Sequence, residues 1–309
     1  MISSKYRANP DQLLLQFLLY ATIVVGGIIF AIPFYWMIRT AVMPPWQINQ
    51  FPPQWIPAGL WWENLSNVYS CLGAASCEVE AEPLLHFENF RKPFDGPFPF
   101  SRWFLNSGLV AILSALGVVL SSSIVGFAFA RLRFPYRNTL FIIVLSTMML
   151  PEHVRLIPTY LLFVWLGWVN TFAPLILPNW FAPAFHVFLM RQFFMTLPQE
   201  LDDAAEIDGC GYFGIYSRIH LPLSLPVMGV SAIYQITFSW NDFLHPLIYL
   251  QEVKLYTVAV GLRLFEGYMS SNMQDMMAAA LMAVLPTIVI FFVAQRYFIQ
   301  GIVITGVKG

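Results

Sequence analysis

Five side chains suited to binding chemistry lie inside long apolar runs: Glu152, Arg155, Trp240, Asn241 and Asp242. Ionisable groups are costly in a bilayer and usually serve a function there. An aromatic face beside hydrogen-bonding groups suits a sugar, which has an apolar ring face and a rim of hydroxyl groups. Trp240, Asn241 and Asp242 are therefore candidates for a solute pathway, although Asp242 would equally suit a bond to a neighbouring helix.

Glu152 and Arg155 have two interpretations. They are three residues apart, between Pro151 and Pro158. They would form an ion pair that faces a helix bundle and stabilises a kinked helix. Alternatively, both line the same solute pathway.

Catalytic chemistry is not indicated. The sequence has no phosphate-binding Gly-x-x-x-x-Gly-Lys-Ser/Thr loop, no Gly-x-Ser-x-Gly elbow and no His-Glu-x-x-His pair. Cys71 and Cys77 would suit a disulfide in an oxidising compartment, or they are two unpaired thiols. A zinc site with His86 lacks further ligands. We therefore predict no catalytic residue, no metal site and no cofactor bound by this chain, and energy must come from a partner.

The amino-acid composition indicates that the candidate pathway residues lie in helices that span a lipid bilayer. Of the 309 residues, 58% are hydrophobic and 11% charged, with a mean hydropathy of +0.64. Soluble domains have roughly 45–50% apolar and about 25% charged residues. Basic residues form no patch suited to nucleic acid. We predict an all-α protein of the lipid bilayer with six spans of about 20 residues each: Leu13–Ile38, Phe104–Ala130, Asn138–Trp165, Phe172–Met190, Val227–Leu250 and Met276–Phe298.

The basic residues predict the orientation. If the six spans alternate, nine of the 16 Lys and Arg residues fall on one side: Lys5, Arg7, Arg131, Arg133, Arg137, Arg191, Arg218, Arg296 and Lys308. The positive-inside bias places this side, and both termini, in the cytoplasm. The predicted organisation is an N-tail and first span (1–38), a long external loop (39–103), a membrane core (104–298) that contains a cytoplasmic loop (191–226), and a C-terminal tail (299–309).

The cytoplasmic loop contains a short acidic helix, predicted over 197–208. Thr196 and Gln199 have the spacing of a capping box, and Pro198 would fit the first turn. Acids early in the helix favour its dipole, and Gly209 suits the left-handed residue that ends it.

One face of this helix is small: Leu201, Ala204, Ala205 and Asp208 recur at helical spacing. Helices that lie on a membrane are typically basic with large apolar residues. This acidic, alanine-rich helix is better suited to docking into a protein groove.

The same segment resembles the EAA loop of binding-protein-dependent ABC importer permeases, which reads Glu-Ala-Ala, Asp-Gly and Ile-x-Leu-Pro. This chain has Asp203-Ala204-Ala205, Asp208-Gly209 and Ile219-His220-Leu221-Pro222. It departs from the pattern at Asp203, usually Glu, and at Cys210, commonly Ala. Residues 238–244 and 295–309 resemble carbohydrate-uptake permeases such as the second permease of the maltose transporter, although the long external loop is enlarged.

The resemblance implies a type I ABC importer permease fold in the inner membrane. It implies a second permease subunit, two ATP-binding subunits that hold ATP and Mg, and an extracytoplasmic solute-binding protein. The EAA helix would sit in a cleft of the ATPase, which assigns ATPase coupling to these residues: Leu201, Asp203, Ala204, Ala205, Asp208, Gly209, Leu221 and Pro222. The alternative function is an ion-gradient-driven secondary transporter, but such folds usually contain internal repeats, and none is convincing here.

Overall fold

The computed structural model describes residues 10–43, 45–48, 50–56, 99–268 and 273–305. No β-strand occurs among these residues, so the all-α prediction is confirmed. The chain divides into two compact units. The first comprises residues 1–95 and 269–282, and the second comprises residues 96–268 and 283–309.

Ten helices form the framework of the described residues. In chain order they are α1 (Pro10–Ala41), α2 (Phe100–Arg131), α3 (Arg137–Ser146), α4 (Glu152–Trp165), α5 (Ala184–Thr196), α6 (Glu200–Ile207), α7 (Leu225–Asn241), α8 (Leu244–Tyr249), α9 (Val258–Tyr268) and α10 (Met273–Thr305). Shorter helical turns lie between them: Pro45–Ile48, Thr147–Met149, Ala173–Ile176, Leu177–Trp180, Tyr212–Ile215, Tyr216–His220, Leu221–Leu223 and Val253–Leu255.

The predicted six spans correspond to four long apolar helices and two bent helix pairs. The long helices cover Leu14–Ala41, Phe100–Arg131, Ala173–Thr196 and Met276–Val293. One bent pair joins Arg137–Met149 to Glu152–Trp165 at 98°, and the other joins Tyr212–Leu223 to Leu225–Asn241 at 73°. Six spans result if each pair crosses the membrane once.

Three predicted spans are not continuous helices. The fourth is interrupted at residues 181–183, between the turn Leu177–Trp180 and α5. Proline explains the interruptions of the third and the fifth. Leu150 is extended (φ −75°, ψ 119°) because the residue before a proline, here Pro151, is driven out of the helical region. The predicted fifth span stops at Asn241 instead of running to residue 250. A continuous helix there would press the ring of Pro246 against the carbonyl of Asp242.

The second unit is built around α2. In the sequence this helix contains Ser121, Ser122, Ser123 and Gly126, which predict close packing. Ser121 is half-buried and the other two serines are fully buried. A Cβ added to Gly126 would lie 2.6 Å from Met190 Cβ on α5. A core cluster around this contact comprises Phe127, Met190, Phe194, Ala205, Ile215, Tyr216 and Val227. The predicted close packing is confirmed at Gly126, where α2 meets α5, and α6 contributes Ala205 to the same core.

Candidate functional site

The first candidate region is α6, which begins later than the sequence predicts. Leu197 is extended (φ −74°, ψ 143°) because it precedes Pro198, so the helix begins only at Glu200. The predicted capping box is wrong: the Thr196 hydroxyl donates to the Phe193 carbonyl at 2.7 Å and belongs to the end of α5. Gln199 occupies the N-cap position without a side-chain cap.

The end of α6 agrees with the prediction. Gly209 is left-handed, with φ +80°. The Gly209 amide donates to the Glu206 carbonyl at 3.0 Å, and the Cys210 amide donates to the Ala205 carbonyl at 2.9 Å. These two bonds form the motif that closes a helix through a left-handed residue and pairs its last carbonyl groups.

The predicted small face of α6 divides between two environments. Ala205 is 5% exposed and packs into the core of its own chain. Leu201, Ala204 and Asp208 are exposed, as is the neighbouring Asp203. The outer face is therefore free to contact another molecule, whereas Ala205 is already covered.

Two exposed apolar side chains extend this outer face. Ile207 is 87% exposed and Phe213 is 78% exposed. Neither residue is among those predicted from the sequence, although a large apolar residue in an acidic segment of otherwise small residues is a signal for such a contact. Leu221 and Pro222 open the next short helix, Leu221–Leu223, where Leu221 is half-buried and Pro222 is exposed.

The second candidate region is a cavity of about 510 Å³ within the second unit. Its volume lies in the range of small-molecule sites, roughly 300–1,000 Å³. Its polar lining comes from several helices and includes Glu152, Arg155, His186, Gln235, Asp242 and His245. Its aromatic lining comprises Phe163, Phe185, Tyr234, Phe238 and Tyr249. The combination can bind a solute through both hydroxyl groups and apolar faces.

His245 connects the two carboxylates of this cavity. Its Nε2 lies 2.9 Å from Glu152 Oε1, and its Nδ1 lies 2.9 Å from Asp242 Oδ2. Each contact needs a proton either on the ring nitrogen or on the carboxyl group, since an ionised carboxylate only accepts hydrogen bonds. His245 was missed by the sequence analysis because it lies outside the Trp240–Asp242 segment.

Glu152 and Arg155 do not form the ion pair considered above. Glu152 is the first residue of α4, just beyond the break at Pro151, and its carboxylate contacts His245 instead. Within the described residues Arg155 forms no ion pair, and it lines the cavity. The structure therefore places both residues at the cavity, and a role of the cavity in the solute pathway stays a prediction.

Trp240 and Asn241 do not line the cavity that Asp242 lines. The Trp240 indole is 7% exposed, donates from Nε1 to the Ala283 carbonyl at 3.0 Å, and packs edge-on against Phe104. It does not line the cavity. Asn241 is exposed and, with Glu152 and Asp242, lines a neighbouring open pocket of about 550 Å³.

The predicted cysteine pair, Cys71 and Cys77, lies outside the described residues. Cys210 is a half-buried free thiol. Among the described residues no group of three His, Cys, Asp or Glu side chains could hold a metal ion.

Comparisons with known proteins agree with these features. Residues 106–304 match the family described as binding-protein-dependent transport system inner membrane component. The arabinooligosaccharides transport system permease protein AraQ of Bacillus subtilis (strain 168) is 36% identical over 226 residues, covering 73% of this chain and 80% of AraQ. The sn-glycerol-3-phosphate transport system permease protein UgpE of Brucella suis biovar 1 (strain 1330) is 33% identical over 285 residues, covering 92% of this chain and 94% of UgpE.

A solved structure shares the fold. It is a bacterial ABC transporter involved in the import of the acidic polysaccharide alginate. The TM-score is 0.74 at 17% sequence identity, and the match covers 96% of this chain and 100% of that chain. The expected type I ABC importer permease fold is therefore confirmed.

Proposed function

Since the chain belongs to the family of inner membrane components of binding-protein-dependent transport systems, we propose that it is the permease subunit of an ATP-driven importer for a sugar or a related polar solute. Its family and its apolar helices make it a multi-pass protein of the inner membrane. The permeases AraQ and UgpE belong to transport systems for arabinooligosaccharides and sn-glycerol 3-phosphate. Both solutes carry hydroxyl groups, which the donors and acceptors of the cavity would bind.

The observation that carries the proposal is the exposed outer face of α6. An eight-residue acidic helix joins two spans, buries Ala205 in its own chain and leaves Leu201, Ala204 and Ile207 uncovered. Small side chains allow another surface to approach a helix closely, and exposed apolar side chains favour burial by a partner. Transport driven by an ion gradient assigns no obvious task to such a helix outside the spans.

In the proposed assembly α6 lies in the cytoplasm, as do both termini. Its outer face contacts one of two ATP-binding subunits, which hold ATP and Mg, while this chain holds neither. A second permease subunit faces this one across the solute path, and an extracytoplasmic binding protein delivers the solute. Residues Leu201, Asp203, Ala204, Asp208 and Gly209 act at the contact with the ATPase or shape it, and Ala205, Leu221 and Pro222 join that contact to the spans.

The proposed mechanism is alternating access driven from the cytoplasm. Closure of the ATP-binding subunits displaces α6, and the displacement reorients α4, α5 and α7 around the cavity. Glu152, Arg155 and Asp242 lie at the cavity, where they exchange bonds with the solute as the path opens to either side. Asn241 lines the neighbouring open pocket and would contact the solute on its way.

Purification of the complex through a tag on this chain tests the proposal. We expect mild detergent to retain a second permease and subunits that hydrolyse Mg-ATP. Proteoliposomes that contain this complex and the binding protein should take up radiolabelled arabinooligosaccharides, maltose or sn-glycerol 3-phosphate only when Mg-ATP is supplied on the side of α6. Uptake that persists without ATP and disappears when an ionophore collapses the ion gradient would establish the secondary transporter instead.

A further inference from the structure

We propose that Asp202 is a positioning residue that ties α6 to the ends of α2 and α5 and to the segment leading into α7, so that these elements move together. The inference rests on the proposed function in one respect, because it takes α6 to be the element on which the ATP-binding subunits act. Asp202 Oδ2 lies 3.3 Å from Nη1 of Arg131, the last residue of α2. Asp202 Oδ1 lies 2.5 Å from Nε2 of His220, which ends the π-helical turn Tyr216–His220. The carboxylate of Asp202 therefore contacts both the end of α2 and the segment that leads into α7.

Arg131 extends the connection to α5. Its Nη2 donates to the carbonyl of Phe194 at 2.7 Å and to the carbonyl of Leu197 at 2.6 Å. These carbonyls lie at the end of α5, where the helix leaves its last acceptors unpaired. The planar guanidinium has enough donors to bind these carbonyls and the Asp202 carboxylate at once. The ends of α2 and α5 are thereby fixed to the first turn of α6.

The surroundings of this cluster make its bonds strong. His220 is fully buried, and the side chains of Arg131 and Asp202 are only 11% and 14% exposed. The His220 ring lies edge-on to Phe127 and Phe194, with centroids 5.0 and 5.6 Å away. Water competes poorly for hydrogen bonds in such an apolar setting. Removing one partner of a buried pair leaves the others with uncompensated charge or unpaired donors.

His220 depends on Asp202 for its hydrogen bonding. Its Nδ1 is buried and has no hydrogen-bond partner within the described part of the chain. A neutral ring with the proton on Nε2 donates to Asp202 and leaves only a lone pair at Nδ1. The carboxylate therefore selects the tautomer and holds the ring, which links α6 to the segment that leads into α7.

The two adjacent acids of α6 thus have different tasks. Asp203 is exposed on the outer face, whereas Asp202 is half-buried against its own chain. Successive residues of a helix point about 100° apart, so the two carboxylates cannot serve the same contact. Asp203 is the acid placed to contact the ATPase, and Asp202 passes the resulting displacement to the spans. This difference supplies a matched pair of variants.

The test compares Asp202→Ala with Asp203→Ala in the tag-purified complex by hydrogen–deuterium exchange. Exchange is measured without nucleotide and with Mg-ATP plus orthovanadate, in peptides from α6, from the end of α2 and from residues 216–224. In the unmodified complex we expect nucleotide to change the exchange of all three regions. Asp202→Ala should keep the nucleotide response of α6 and lose that of the other two regions, whereas Asp203→Ala should weaken all three responses together.

A second variant addresses the possibility that Asp202→Ala fails to fold. Asp202→Asn keeps the size of the side chain but removes the charge that pairs with Arg131. Without nucleotide it should accelerate exchange of the α6 amides by at least about tenfold, the effect of losing a hydrogen bond to a charged group. Asp203→Asn should raise that exchange by less than Asp202→Asn does, because Asp203 is exposed on the outer face. A nucleotide response in the end of α2 that is unaltered by both substitutions of Asp202 overturns the inference.

The outcomes separate the inference from the proposed function. If the complex contains no subunit that hydrolyses ATP, the proposed function fails, yet the comparison of Asp202→Asn with Asp203→Asn without nucleotide still tests the anchor. If the complex hydrolyses ATP and α6 responds to nucleotide, but both Asp202 variants behave as the unmodified chain does, the proposed function stands and the role of Asp202 is refuted.

Discussion

Replacing Gly209 with alanine should loosen the end of α6 without filling any space. Gly209 has φ +80°, and a Cβ added there would meet nothing within 4 Å. The cost is therefore confined to the backbone: a residue with a Cβ loses about 1–2 kcal/mol in the left-handed conformation. Such a loss changes a local opening equilibrium roughly 5- to 30-fold.

Hydrogen–deuterium exchange of the purified complex measures this effect directly. Backbone amides exchange when their hydrogen bonds open locally. Three amides report on the end of α6, since they bond to its last carbonyl groups: those of Asp208, residue 209 and Cys210. In Gly209→Ala we expect their exchange to rise by the same factor of roughly 5 to 30. ATP-driven uptake should fall as well, because a frayed helix transmits displacement poorly.

Gly211→Ala is the matched control. Gly211 lies two residues further along the same loop, a Cβ there also meets nothing within 4 Å, and its φ of −74° suits any residue. This variant should leave the exchange of the same three amides unchanged. Equal exchange rates in the two variants would refute the reasoning, because a Cβ has open space at both sites and only Gly209 has a positive φ.

Two further predictions concern packing and the cavity. Gly126→Ala should lower the midpoint of thermal unfolding, followed by tryptophan fluorescence, because its Cβ would press on Met190 and overpacking costs about 1–3 kcal/mol. The control Gly108→Ala on the same helix places its Cβ in open space and should be neutral or stabilising. Equal midpoints for the two variants would contradict this prediction. Asp242→Asn should reduce ATP-driven uptake at least about tenfold while the complex still assembles, because the substitution removes a charged hydrogen-bond acceptor from His245 and from the solute. Full uptake by this variant would exclude Asp242 from the solute pathway.

Much of the fold could be predicted because the bilayer demands long apolar helices. Apolar length located four long helices and two bent pairs, which make six spans if each pair crosses the membrane once. The left-handed conformation of Gly209 was predicted from the chemistry of helix ends. The errors concern proline. Leu197 precedes Pro198 and Leu150 precedes Pro151, and each proline extends the residue before it. A length criterion alone passes over these positions, although the sequence contains the signal.

The candidate site was predicted less completely because its contacts join residues far apart in the chain. Glu152 meets His245 only because the bent pair of α3 and α4 places it there, and an angle of 98° cannot be derived from sequence spacing. Trp240 was grouped with Asp242 because they are neighbours in sequence. Residues one or two apart on a helix do not share a face, so the indole lies against Ala283 while Asp242 lies at the cavity.

The interruption between α3 and α4 also bears on how such a protein could change its solute. Pro151 has no amide hydrogen, so the carbonyl of Thr147, a residue of the cavity wall, lacks the partner that an unbroken helix would provide. A main-chain acceptor of this kind is present whatever side chains surround it. Substitutions in the wall can therefore reshape the cavity for a new solute while this main-chain acceptor is retained.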